Sequence, residues 1–203
     1  MSEIKCSPMK INLLILGNWN VGKSCFIYRY INKKFKSYTF NTIGFDCLKT
    51  NIETPSGKKA KIFFYDTAGQ ERYCSLAFNF INNADGVILM YDITDISTFQ
   101  KIQSWIESIK EKKGENFPIV LVGNKCDLEG KREISKEEGE KEAKNNGFPF
   151  FETSCKENIN IEKAVKAIIN IISEEKYQLK LYSTKTLILE KKKLKKKKNK
   201  CKC

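Results

Sequence analysis

The sequence predicts an α/β domain built on a mostly parallel, six-stranded sheet flanked by helices, and three observations carry that expectation. Short apolar runs of strand type alternate along the chain with stretches of helical periodicity, the order that lays down parallel strands joined by helices. Several of these runs are apolar almost throughout, as strands covered on both faces must be. The chain is 203 residues long, enough for one well-filled domain and hardly for two.

Taken in order, residues 1–9 form a short arm and residues 10–177 the domain. Ile11 to Leu16 is the first strand, followed by a glycine-rich loop and a helix opening at Cys25-Phe26-Ile27. Asp46 to Thr54 and Lys59 to Asp66 pair as a hairpin around Pro55-Ser56-Gly57, residues suited to a turn. Gly86 to Tyr91 and Ile119 to Gly123 are buried strands, and Pro149 to Thr153 a shorter one. Between them Phe99, Ile102, Ile106 and Ile109 repeat at helical spacing, as do Ile161, Val165, Ile168 and Ile172. Ser135 followed three residues later by Glu138 is a capping-box start. These apolar stripes are core packing. From about Gln178 to Cys203 the pattern dissolves into a lysine-rich segment with no core-forming face, expected to be flexible.

The net charge of +13 belongs mostly to that segment. From Lys180 onward there are eleven lysines against one acid, Glu190, whereas residues 1–179 carry 26 basic and 23 acidic side chains. The first six of the eight cysteines (Cys6, Cys25, Cys47, Cys74, Cys126 and Cys155) are scattered singly, and the N-terminus has no signal-peptide pattern, so a reduced cytosolic setting is expected. No apolar run approaches the ~18 residues needed to span a bilayer. There is no histidine, which removes the commonest general base, Ser/His triads and most zinc sites.

Gly17-Asn18-Trp19-Asn20-Val21-Gly22-Lys23-Ser24 matches GxxxxGK[ST], directly after a strand and opening into a helix. Glycines allow the backbone to curl so that several N–H groups converge on phosphate oxygens, and the helix N-terminus adds favourable potential. Lys23 is placed to reach β- and γ-phosphates, and the Ser24 hydroxyl to bind Mg²⁺. The nucleotide contacts expected here run through Asn18, Trp19, Asn20, Val21, Gly22, Lys23, Ser24 and Cys25. Asn124-Lys125-Cys126-Asp127 follows the strand ending at Gly123, at the ligand-binding edge of such a sheet. The Asp127 carboxylate can accept both N1–H and the exocyclic amine of guanine. Adenine has no proton on N1 and no amine on C2, so it cannot donate this pair, and a buried acceptor left unpaired costs about 1–3 kcal/mol or more.

These segments, with Thr42-Ile43-Gly44, Asp66-Thr67-Ala68-Gly69-Gln70-Glu71-Arg72 and Glu152-Thr153-Ser154-Cys155-Lys156, stand in the order and at the spacing of small GTPases. Over roughly residues 8–177 and at its tail the chain resembles the Rab branch of the Ras superfamily, which implies the P-loop NTPase fold. The resemblance implies that Phe35 covers the guanine edge-on and that the backbone of Ser154, Cys155 and Lys156 reads the guanine carbonyl, Cys155 standing where alanine is usual. It implies that Thr42 joins the Mg²⁺ shell and senses the γ-phosphate, that Asp66 holds Mg²⁺ through water, that Gly69 contacts the γ-phosphate, and that Gln70 positions the attacking water. Catalysis would then rest on Gln70 and Lys23, and the metal on Ser24, Thr42 and Asp66. Phosphoryl transfer needs placement and charge neutralisation more than covalent chemistry, so no histidine is missed. Losing the γ-phosphate would release Thr42 and Gly69 and relax both loops.

Two departures stand out. Trp19 sits where the family usually has a small residue, near the γ-phosphate. Its indole either crowds the attacking water or an incoming GAP residue, giving slow or GAP-resistant hydrolysis and a mostly GTP-loaded membrane scaffold, or swings to solvent with little effect. Rab proteins also present three aromatic residues to effectors, and the matching positions here are Cys47, Tyr65 and Phe80, which points to altered partners.

The chain ends Cys201-Lys202-Cys203. This CxC ending resembles the Rab one, in which both cysteines carry geranylgeranyl groups; it is not a C-a-a-X box, and Ser2 in place of Gly excludes N-myristoylation. Two lipids, or one with a polybasic patch, give stable attachment, and each lysine near an anionic leaflet adds roughly 1 kcal/mol. An inert solvated tail and a nucleic-acid patch are the alternatives; the tail past Tyr182 lacks the stacking groups that nucleic acid would call for. The expectation is a Rab-like GTP/GDP switch with Mg²⁺ as cofactor, cytoplasmic and peripheral on the cytosolic face of an endomembrane. Its expected partners are an exchange factor, a GAP, a GDP-dissociation inhibitor and trafficking effectors, with no nucleic acid.

Overall fold

The computed structural model describes residues 9–35, 45–53, 57, 59–67 and 80–174. Strand β1 (Met9–Leu16) leads to helix α1 (Lys23–Asn32), then β2 (Phe45–Glu53), β3 (Lys59–Thr67) and β4 (Gly86–Asp92). Helices α2 (Ile96–Gln100) and α3 (Ile102–Lys113), β5 (Ile119–Asn124), α4 (Lys136–Asn146) and β6 (Phe150–Thr153) follow, and residues 161–174 form the closing helix α5. The six strands lie in the order β2-β3-β1-β4-β5-β6. Only β2 runs antiparallel, paired to β3 from Phe45 opposite Thr67 to Glu53 opposite Lys59. The mostly parallel six-stranded sheet expected from the sequence is therefore present.

Side chains on a strand alternate between faces, and here each set meets its own helices. Ile11, Leu13 and Ile15 of β1, with Ile88 and Met90 of β4 and Val120 and Val122 of β5, face Phe26 and Ile27 of α1 and Ile161, Val165, Ile168 and Ile172 of α5. Leu14 and Leu16, with Val87, Leu89, Tyr91 and Leu121, face Ile102, Ile106 and Ile109 of α3 and Ala143 of α4. Both faces are buried, which is why the strand sequences read as continuous apolar runs. Each fully buried Leu, Ile or Phe contributes about 1.5–3 kcal/mol relative to exposure.

The stripe beginning at Phe99 is shared by two helices rather than one, because the chain steps at Lys101 (φ −82°, ψ −11°) between α2 and α3. Asp95 caps α2 by accepting from Ser97 N–H, and this fixes where the first segment starts. The Ser135 capping box forms as expected: Glu138 N–H donates to Ser135 Oγ at 3.2 Å, and Ser135 N–H donates to Glu138 Oε2 at 2.8 Å. Met9, expected to end the arm, already belongs to β1; residues 1–8, 36–44, 54–56, 58 and 68–79, and everything past residue 174, lie outside the described residues, and with them most of the expected Pro55-Ser56-Gly57 turn.

Candidate functional site: a loop cluster at the sheet edge

From β1 the sheet extends through β3 on one side and β4 on the other, so the loop after β1 opens at the reversal of strand order, where open α/β sheets bind ligands. Two glycines shape that loop. Gly17 has φ +140°, and a Cβ there would lie 2.1 Å from the Met90 carbonyl oxygen; Gly22 has φ +98°, with a Cβ 2.4 Å from Asn124 Nδ2. With Asn20 also at positive φ (61°), the backbone curls as a concavity lined by N–H groups requires.

Lys23 opens α1 and is 5% exposed. Its ammonium donates to the carbonyls of Gly17 at 2.9 Å and Asn18 at 2.8 Å, since a buried cation must find oxygen partners. Burial pulls its pKa down to about 8, against the opposing pull of the Asp66 carboxylate. Beside it, Ser24 Oγ donates to Asp66 Oδ2 at 2.5 Å, and Asp66 is 3% exposed at the end of β3. A hydroxyl and a carboxylate held together supply the hard oxygen donors Mg²⁺ takes from a protein, leaving water and phosphate to complete its octahedron. The residues present therefore fit Mg²⁺. Thr42, Gly69 and Gln70 lie outside the described residues.

Asn124, at the end of β5, ties the neighbouring loops together. Its Nδ2 donates to the Val21 carbonyl at 2.8 Å, and its Oδ1 accepts from Thr153 Oγ1 at 3.0 Å. Lys125, at φ +68°, forms an ion pair with buried Asp92 at 2.5 Å. One oxygen of Asp127 accepts from Ser154 Oγ at 2.6 Å. Cys155 is buried, and burial pushes its thiol up to about 12; it stays protonated and packs as a small side chain. Lys156 is exposed.

The structure thus gathers Gly17–Ser24, Asp66, Asn124–Asp127 and Ser154–Lys156 at one end of the sheet. Phe35 lies 41% exposed after α1, and Trp19 projects 63% exposed from the glycine loop. Cys47 and Tyr65 are cross-strand neighbours, and Tyr65 stacks on Phe80 with ring centroids 5.7 Å apart, so the three aromatic-position residues share one patch.

The sequence reading missed two arginines. Arg29 of α1 reaches the carbonyls of Cys155 and Lys156. Arg132 binds both Glu152 oxygens, at 2.6 and 3.0 Å, bracing β6 just before the same loop. Arg29 left one trace in the sequence, a charge set among the core-facing Phe26, Ile27 and Tyr30.

Comparison with known proteins agrees with this arrangement. The model of the Ras family matches residues 12–174. The Ras-related protein Rab-3C of Bos taurus is 42% identical over 163 residues, covering 80% of this chain and 71% of that protein. Rab-13 of Bos taurus is 41% identical over 156 residues, covering 77% and 76%, and Rab-3 of Caenorhabditis elegans is 42% identical over 163 residues, covering 80% and 74%. With its phosphate-loop geometry, its strand order and these matches in accord, the chain belongs to the Ras family, as a small GTPase related to Rab proteins.

Proposed function

We propose that this small GTPase binds GTP and GDP with Mg²⁺ at the loop cluster, hydrolyses GTP, and acts as a membrane-trafficking switch. The observation that carries the reading is the Asn124 junction. It ties the phosphate-type loop at Val21 to Thr153, directly before the Ser154–Asp127 pair, so phosphate and base recognition share one framework. Ser24 and Asp66, with Thr42, would hold Mg²⁺. When bound, the ion neutralises charge on the β- and γ-phosphates. Lys23 adds a second positive charge there, and Gln70 orients the attacking water. Phe35 covers the base, Gly69 meets the γ-phosphate, and the loop at Ser154–Lys156 reads the guanine carbonyl.

The exposure of Trp19 favours an indole turned to solvent, and so a switch that turns over rather than one locked with GTP. Single-turnover hydrolysis by wild type and Trp19→Ser would come out within about twofold on this reading; a much faster variant would restore the hydrolysis-impaired scaffold.

Base selection is tested by Asp127→Asn. Xanthine presents N1–H and a carbonyl where guanine presents N1–H and an amine, so an amide side chain complements xanthine. The variant should lose GDP affinity and gain xanthosine diphosphate affinity; unchanged preference would remove Asp127 from base recognition.

No helix among the described residues is long and apolar enough to cross a membrane. Attachment would come from prenyl groups on Cys201 and Cys203 beside the lysine-rich segment, measurable by mass spectrometry. Effectors, exchange factor, GAP and GDP-dissociation inhibitor would engage the switch from the cytosol. A tagged protein should move from diffuse in its GDP-favouring form (Ser24→Asn) to an endomembrane in its GTP-favouring form (Gln70→Leu), and identical diffuse patterns would count against a membrane switch.

A further inference from the structure

We propose that Arg29 is the positioning residue of base recognition: its guanidinium sets the loop at Ser154–Lys156 and, through it, Asp127. The inference rests on the guanine-nucleotide reading above. Arg29 is only 9% exposed among the core-facing residues of α1, so its donors must be satisfied internally. Nε donates to the Cys155 carbonyl at 2.6 Å, Nη2 to the Lys156 carbonyl at 2.5 Å, and Nη1 to the Lys33 carbonyl at 3.2 Å. One planar fork thereby holds two successive carbonyls of the loop and the C-terminal cap of its own helix. Its carbon also lies 5.8 Å from the ring centroid of Phe35, within cation–π range.

The consequence follows from peptide planarity. In a trans peptide the N–H points opposite to the C=O, so anchoring the Cys155 carbonyl directs the Lys156 N–H away from Arg29. Anchoring the Lys156 carbonyl does the same for the Glu157 N–H. That N–H donates to Ser154 Oγ at 2.9 Å, and Ser154 Oγ donates to Asp127 at 2.6 Å. Arg29 thus fixes the direction of a loop N–H and, along a continuous chain of hydrogen bonds, the carboxylate that would select guanine. Lysine keeps the charge but loses the fork, so Arg29→Lys separates geometry from electrostatics.

The test measures affinity for GDP and for 6-thio-GDP, which keeps N1–H and the amine but replaces the guanine carbonyl oxygen with weakly accepting sulfur. Displacement of a fluorescent GDP from wild type and Arg29→Lys provides the readout, with Mg²⁺ present. The expected result is a loss of about tenfold for GDP, the scale of one hydrogen bond of roughly 1.4 kcal/mol, and a smaller loss for 6-thio-GDP, where only the part carried through Asp127 remains. An equal loss for both nucleotides, or none for GDP, overturns the inference. So does loss of the folded state by circular dichroism in both Arg29→Lys and Arg29→Gln, which would assign the residue to general architecture. A wild type that holds no GDP would instead overturn the nucleotide reading on which this one stands.

Discussion

Lys23 shows how burial tunes a residue for the phosphate contact proposed for it. Desolvation lowers its pKa to about 8, so below pH 8 the protein holds a buried ammonium that donates, among the described residues, to two loop carbonyls. A phosphate against that ammonium favours the charged form and raises the pKa again. Below about pH 8 Lys23 is protonated with or without nucleotide, and affinity is insensitive to its titration. Above it, binding must take up a proton, and affinity falls by up to tenfold per unit. Calorimetry in two buffers of different ionisation enthalpy should find proton uptake near zero at about pH 7, where the nucleotide's terminal phosphate is already largely ionised, and approaching one at about pH 9; equal uptake at both would mean that Lys23 never gives up its proton. Tyr91 makes the opposite case, a polar group with no visible duty. Its hydroxyl is fully buried and has no hydrogen-bond partner among the described residues, and burial holds its pKa far above the usual phenol value. Tyr91→Phe removes that unsatisfied group while keeping the ring stacked edge-on against Phe99. A gain of about 1 kcal/mol is expected, seen as a rise of about 2–4 °C in Tm.

At the scale of elements, α4 sits on the sheet through Gly139. A Cβ at that position would lie 2.3 Å from Tyr91 Oη and 2.6 Å from Phe150 Cζ, so the helix approaches β4 and β6 only because this residue has no side chain. Gly139→Ala should cost about 1–3 kcal/mol in urea unfolding through overpacking, and the loss should shrink in a Tyr91→Phe background, where one of the two clashes is gone. Additive losses would show that α4 shifts as a body instead. Elements of this kind were legible in the sequence where the pattern is local. Continuous apolar runs named β1, β4 and β5, Ser135 and Glu138 named the start of α4, and the strand-type runs on either side of Gly57 named the paired β2 and β3. Contacts between distant elements were not. Nothing in the local pattern says that Gly139 must meet Tyr91, or that an arginine of α1 will hold carbonyls of the loop after β6, because those partners become neighbours only once the sheet has formed. The step at Lys101 was hidden for a related reason, since an apolar stripe at helical spacing reads the same across one helix or two.

For the whole molecule, the site is an outcome of topology: parallel strands bring the loops after β1, β5 and β6 to one edge, and motifs more than a hundred residues apart converge there. The motifs proposed to hold phosphate and base could be picked out in the sequence because each is short and local. Their coupling could not, because it runs through Asn124, whose role in the sequence was only that of a motif letter. Asn124→Ala would leave the Val21 carbonyl and the Thr153 hydroxyl without the partners they have now, at about 1–3 kcal/mol for each group that stays buried. GDP with Mg²⁺ at a hundred times its Kd should stabilise the wild type by about 2.7 kcal/mol through mass action, or about 5–10 °C for a domain of this size. Ser135→Ala, which removes a helix cap worth about 1 kcal/mol, should lower Tm with and without nucleotide alike and leave that shift intact. Asn124→Ala should lower Tm and also shrink the shift at the same GDP concentration, since the loops it ties no longer hold each other for the ligand. If both variants kept the full shift in thermal melts, Asn124 would be a stability residue alone, and the two halves of the site would be independent.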